Sequence, residues 1–201
     1  YVNKKDLSYY ITVTNQVYSM PPKPDKPKNI DEYIIKGMYR FKATEMENED
    51  LKAHLFGSGA IMQEVLKAAE ILENDYAIPT DTWSVTSYKA MYDNAIDTER
   101  ENRVSGKLNR KRTNIEIALD GTEGVFVMAS DYVKAVPLSV ARWFPEPVSV
   151  LGTDGFGRSE SVADLRRFFE VDAGHIAYAA LYELAKKGDI KKQRLEKAAD
   201  D

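Results

Sequence analysis

The residues with the most chemical potential stand together in one run, Gly152-Thr153-Asp154-Gly155-Phe156-Gly157-Arg158-Ser159. Gly152, Gly155 and Gly157 free the backbone for tight turning and close approach. Asp154 and Arg158 offer opposite charges, and Ser159 or Ser161 can cap the helix that follows, with Asp164 completing a box-like pair from Ser161. One reading is an anion site at a helix N-terminus. The other is a glycine turn that packs on a neighbouring domain. Neither a Walker lysine nor Rossmann spacing is present, which favours the turn. Three further segments, Gly57-Ser58-Gly59, Thr86-Ser87 and Ser130-Asp131, follow apolar runs in the same way. If those runs are parallel strands, all four segments share the carboxyl edge of a sheet, where open α/β sheets bind ligands.

Little else points to catalysis. The two histidines, His54 and His175, fall on a strand and at a helix start with no carboxylate or second histidine at ligand spacing, so both read as structural or exposed. Arg100–Arg112 contains Lys107, Arg110, Lys111 and Arg112 and reads as a solvated basic loop. There is no cysteine, which excludes a disulfide scaffold, a zinc–cysteine site and a thiol nucleophile and fits a reducing cytoplasm. No serine elbow and no pair of carboxylates with an acid/base role is seen, so no catalytic, cofactor-binding or metal-binding residue is assigned. The net charge of −4 disfavours nucleic acid, and no apolar run is long enough for a membrane span.

The elements that would position the glycine run follow from periodicity. Short apolar strands are expected at Lys52–Phe56, Thr82–Thr86, Val125–Ala129 and Val148–Leu151, with a more polar strand over Tyr33–Ala43. Helices are expected from Ile61 to Tyr76, within Asp131–Phe144 with a kink or a start near Pro137, and over Val162–Phe169 and Ala173–Lys187. The alternation predicts a three-layer α/β/α fold with a five-stranded, mostly parallel mixed sheet. Leu7–Tyr18 reads as one more strand, followed by a linker with prolines at 21, 22, 24 and 27. A strand cut off in this way needs a sheet elsewhere. With the missing initiator methionine, it suggests a chain that starts inside something longer.

Several runs, in order, resemble the C-terminal part of the homodimeric pyruvate dehydrogenase decarboxylating component of bacteria. They are Tyr9–Tyr18 with Met20-Pro21, Ile35–Tyr39, Leu55–Gly59, Val65–Leu72, Trp83–Ser87, Ser130–Lys134, Val150–Ser159 and Leu165–Asp172. The resemblance spans nearly the whole chain, and the run from Gly152 to Ser159 is its most specific part. It implies a transketolase-like C-terminal domain whose sheet has one antiparallel edge strand, for which Tyr33–Ala43 is the natural candidate. It implies boundaries at 1–20 (the end of a pyrimidine-binding domain), 21–30 (the linker), 31–190 (the domain) and 191–201 (a polar tail).

The resemblance further implies a bacterial cytoplasmic oxidoreductase that decarboxylates pyruvate on thiamine diphosphate with Mg2+. The whole enzyme would act as a homodimer and acetylate lipoyl groups of the dihydrolipoamide acetyltransferase component. The family's cofactor-activating residues lie upstream, so this chain is expected to be inactive alone. The sequence departs from the family at 100–114 and at Pro137. Within this frame Asp131, Gly152, Asp154, Gly155, Gly157, Arg158 and Ser159 form an interface or ligand edge. The alternative is a free-standing α/β module that holds a phosphorylated ligand at its glycine-rich loop.

Overall fold

Gly37 divides a segment that reads as one strand. In the computed structural model, Ile30–Lys36 is a helix (α1) and Met38–Lys42 a strand (β1), so the expectation of a continuous strand over Tyr33–Ala43 fails in its first half. Asp31 and Glu32 in the first turn and Lys36 in the last complement the helix dipole. Gly37 ends the helix at φ 106°, and a Cβ there would lie 2.5 Å from the Ser87 carbonyl oxygen. β-branched and aromatic composition was outweighed by local capping. The structure describes residues 2, 4–6, 8, 11, 13, 14, 16–25, 27–46, 51–106 and 110–200.

Four more strands complete the sheet: β2 (Ala53–Ser58), β3 (Thr80–Val85), β4 (Val125–Ala129) and β5 (Val148–Leu151). The order is β1-β3-β2-β4-β5, with β1 antiparallel to β3 and every other pair parallel, as expected. β2 and β4 are buried throughout, which is why they read as continuous apolar runs rather than alternating ones. Alternate residues serve two cores. Leu55, Val125 and Val127 pack with Val65, Leu72, Leu181 and Leu184 of α2 (Met62–Tyr76) and α7 (Ala173–Lys187). Phe56, Phe126 and Met128 pack with Met91, Ile115 and Val140 of α3 (Tyr88–Ser105), α4 (Asn114–Ala118) and α5 (Ala135–Ala141).

α3 and α4 are absent from the sequence reading. α3 buries only the narrow stripe Tyr88, Met91, Ala95 and Thr98 and is otherwise charged, so its periodicity is faint. Its start is nonetheless marked: Ser87 Oγ accepts from the Ala90 backbone N–H at 3.0 Å. Pro137 falls in the first turn of α5, where its missing N–H costs nothing. α6 (Val162–Phe168) begins at the Ser161 cap and α7 at Asp172, both as expected. The polar tail is a helix, α8 (Lys192–Asp200), whose Leu195 and Ala198 pack on the α2/α7 core. In Leu7–Tyr18 the described residues, among them Ile11, Val13 and Val17, form no strand; Leu7, Tyr9, Tyr10, Thr12 and Asn15 lie outside the described residues. No strand of the sheet pairs with the described ones.

Candidate functional site at the carboxyl edge

β2 leads into α2 on one face of the sheet, and its neighbour β4 leads into α5 on the other. A crevice opens where adjacent parallel strands send their chains to opposite faces. The two loops at that point are Gly57-Ser58-Gly59 and Ser130-Asp131. Ser58 and Ser130, both buried, share a hydrogen bond of 2.8 Å across the crevice. Ser130 Oγ also accepts from the Tyr132 backbone N–H at 3.2 Å. The Tyr88 hydroxyl, from the start of α3, lies beside the two serines but has no hydrogen-bond partner of good geometry among the described residues. Burial is the main influence on it and pushes the hydroxyl up to about 12, against the opposing effect of the serines. It is therefore a neutral donor at any physiological pH.

Asp131 stands at the mouth of this crevice, exposed. A Cβ on Gly59 would lie 3.7 Å from both Asp131 carboxylate oxygens, which is ordinary contact. The Asp131 carbonyl accepts from Thr153 Oγ1 at 2.5 Å, and the Tyr132 carbonyl accepts from the Thr153 N–H at 3.0 Å. Gly152 is required here, because a Cβ would come within 2.7 Å of the Tyr132 carbonyl oxygen. Asp154 is exposed but tied down: its Oδ1 accepts from the Lys134 backbone N–H at 2.9 Å, and Lys134 Nζ stands 4.0 Å from Oδ2.

The rest of the glycine run is turned to solvent. Gly155 makes the tight turn with a positive φ of 89°, which only glycine adopts without strain. Phe156 is 97 % exposed, and Tyr132 and Val133, which follow Asp131 in the chain, are about half exposed, at 56 % and 46 %. Arg158 does not face Asp154. Its guanidinium lies 4.1 Å from the Phe168 ring centroid. Ser159 is exposed, and the capping falls to Ser161, which accepts from the Asp164 N–H at 3.2 Å. Asp131, Gly152 and Asp154 thus come together with Gly59, while Gly157, Arg158 and Ser159 lie along the outer loop. The segments carrying Ser58 and Ser130 were expected at this edge from their place after apolar strands, but not their mutual hydrogen bond; Tyr88 is absent from the sequence reading.

The other candidates resolve into internal partnerships. Arg110 pairs with Glu116 at 2.6 Å, Lys111 with Glu101 at 2.7 Å and Arg112 with Asp120 at 2.6 Å, so these cations are already answered by carboxylates; Lys107 lies outside the described residues. His175 has a carboxylate after all: its Nδ1 lies 3.0 Å from both oxygens of Asp172, the cap of α7. Burial pushes the Asp172 carboxyl up, but the N–H groups of His175 and Gly174 outweigh it and hold it below its ordinary value. Buried Glu64 accepts from Arg166 at 2.9 Å, Lys67 at 3.0 Å and the Ala173 N–H at 3.1 Å. Arg166 also donates to the Tyr18 hydroxyl at 3.1 Å, and Gln63 to the Ser19 carbonyl at 2.7 Å, seating the segment before the linker on α2 and α6. Among the described residues no group of three or more His, Cys, Asp or Glu could hold a metal.

Residues 37–172 match the family described as the transketolase-like TK C-terminal domain. The pyruvate dehydrogenase E1 component of Pseudomonas aeruginosa is 41 % identical over 188 residues, covering 93 % of this chain and 21 % of the relative. That of Escherichia coli is 40 % identical over 191 residues, covering 94 % of this chain and again 21 % of the relative. The chain therefore spans about a fifth of the length of these relatives. Among solved structures, a transketolase from Pichia stipitis with xylulose-5-phosphate aligns at TM-score 0.54 and 17 % identity, over 78 % of this chain and 19 % of that one. Transketolase from Leishmania mexicana aligns at TM-score 0.50 and 19 % identity, over 78 % and 19 %. These two show the shared fold.

Proposed function

The chain belongs to the transketolase-like C-terminal domain family, as represented in bacterial pyruvate dehydrogenase E1 components, and from that premise we propose that it is the non-catalytic, C-terminal packing domain of a pyruvate dehydrogenase. The observation that carries this reading is the identity of about two residues in five along 93 % of the chain, against a fifth of the relative's length. The whole protein would decarboxylate pyruvate and transfer the acetyl unit to lipoyl groups of an acetyltransferase component, as a cytoplasmic homodimer. Thiamine diphosphate and Mg2+ do not fit the residues present here: the buried crevice offers neutral hydroxyls and the nearby exposed charge is Asp131, which would repel a diphosphate. Those groups belong to other parts of the protein.

The carboxyl edge supports a docking role. Polar groups at its base are tied to one another around Gly152, and it exposes three large apolar side chains, Phe156, Tyr132 and Val133, alongside the charged Asp131, Asp154 and Arg158. An exposed Phe at the tip of a loop held by internal hydrogen bonds suits an interface anchor. The edge would orient this domain against the rest of the enzyme or its twin subunit. A direct test combines activity and assembly. With pyruvate, thiamine diphosphate and Mg2+, the full-length protein should release carbon dioxide and this chain alone should not. Phe156→Ser should leave the chain's thermal unfolding unchanged yet weaken assembly or turnover of the full-length protein. Decarboxylation by the isolated chain would overturn the non-catalytic role, and a full-length Phe156→Ser protein that assembles and turns over normally would remove the edge from the interface.

A further inference from the structure

On the opposite side of the molecule, outside the antiparallel edge strand, lies a cleft of about 940 Å3. Its walls are aromatic: Tyr33 of α1, Tyr39 and Phe41 of β1, and Trp83 of β3, with Pro24 and Pro27 of the linker alongside. The size and the mainly apolar lining with a few polar groups are those of a small-molecule site.

The polar group that matters is Arg40, which also lines the cleft. Its Nη1 bonds the Asp81 carboxylate at 3.2 Å, and its guanidinium carbon stands 5.8 Å from the Trp83 ring centroid. Asp81 is fully buried and doubly committed elsewhere: Lys52 Nζ lies 3.2 Å from the same oxygen, and the Thr44 N–H donates to the other at 2.9 Å. Two cations share one carboxylate, so one positive charge is left over. The adjoining His54 adds none: its Nδ1 accepts from Trp83 Nε1 at 3.4 Å and its Nε2 faces the Glu123 carbonyl at 3.0 Å, the neutral tautomer. The Arg40 side chain is about half exposed, at 49 %, so the part of its donor fork that Asp81 does not use is open to a ligand. Of the two carboxylates that line the cleft, Asp120 is held by Arg112, and Asp25 sits on the linker beside the prolines. Asp25 disfavours a second anionic group and favours a ring N–H or an amine.

We propose that this cleft binds a flat aromatic or nitrogen-heteroaromatic acid, with its single anionic group on Arg40 and its ring against the aromatic walls. Arg40 is held in place before the ligand arrives, because Asp81 and the Trp83 face fix it; a pre-ordered guanidinium loses less freedom on binding than a mobile surface cation. The proposal is independent of the role given to the carboxyl edge.

Calorimetric titration of the 201-residue chain with indole-3-acetate and its uncharged counterpart indole-3-acetamide tests it. The acid is expected to bind saturably and about tenfold more tightly than the amide, the difference a charge-assisted hydrogen bond makes. Arg40→Gln should bring the acid down to the affinity of the amide. Arg40→Lys should keep part of the preference, because the charge stays and the fork is lost. Tyr33→Ala, at a partly exposed wall position remote from Asp81, should weaken acid and amide alike. Failure of the acid to saturate, or a preference that survives Arg40→Gln in a folded protein, overturns the site. Should Arg40→Gln not fold, unchanged binding in Tyr33→Ala overturns it as well.

Discussion

At the amino ends of β2 and β3 the sheet buries a charge, whereas at the carboxyl ends of β2 and β4 it buries only neutral hydroxyls and leaves its charge outside. Asp81 is wholly enclosed, yet Arg40, Lys52 and the Thr44 N–H together meet both its oxygens. Ser58 and Ser130 bond each other, Tyr88 finds no partner of good geometry among the described residues, and Asp131 stands in solvent. A buried charge is tolerable only when fully answered, so the amino end is closed by its own residues and organises what lies beside it. A lone neutral hydroxyl costs far less, so the carboxyl end tolerates a group without a well-formed partner.

The comparison breaks most visibly at Asp81. Asp81→Asn should cost about 2–3 kcal/mol in urea unfolding, below the full penalty of a buried pair because Arg40 and Lys52 still reach water. A loss no larger than that of an exposed ion pair would mean the amino end is not locked by charge.

Glycine positions sharpen the contrast within the carboxyl end. Gly152→Ala must push the β4 and β5 loops apart, since its Cβ would meet the Tyr132 carbonyl oxygen at 2.7 Å; about 2 kcal/mol is expected. Gly155→Ala, with open space around it but φ at 89°, should cost about 1 kcal/mol. Thermal melts of the pair should rank them in that order, and the reverse would show that the outer loop, not its base, carries the packing.

The amino end should also sense pH. Burial is the largest influence on His54 and lowers it below its ordinary 6.5, despite the opposing Glu123 carbonyl and Asp81. The native state then binds fewer protons than the unfolded one once the pH drops below about 6.5. Stability is therefore whole above that value and declines as the pH falls, until the folded-state value is passed. His54→Gln should flatten the pH–stability curve below about 6.5; an unchanged slope would assign it to other groups. The smallest effect is expected at Tyr88→Phe, which removes a hydroxyl with no partner of good geometry among the described residues: a change within about 1 kcal/mol, in either direction. A larger loss would reveal a bond to Ser58 or Ser130 that matters, and the two ends of the sheet would then be less different than they look.

Much of the scaffold was legible in the residues. β4 falls on the expected residues because a buried parallel strand must be an unbroken apolar run, β5 does so although it is only half-buried and holds Ser149, and α7 does so because Asp172 and Gly188 mark both its ends. The glycine turn after β5 was legible for the same reason, since only glycine reaches φ 89° without strain. α1 was not, because a short helix ended by Gly37 carries no more signal than the strand it leads into. α3 was not, because only one narrow stripe of it is buried. What the sequence determined by itself is therefore the order of the five strands, α2 and the last helices, the glycine turn after β5 and the family they spell. What only the tertiary structure decided is which polar residues meet: Ser58 with Ser130, Glu64 with Arg166, Asp81 with Arg40 and Lys52. These pairs are separated by tens of residues along the chain, and the strand register and helix packing that join them leave no local trace in either partner.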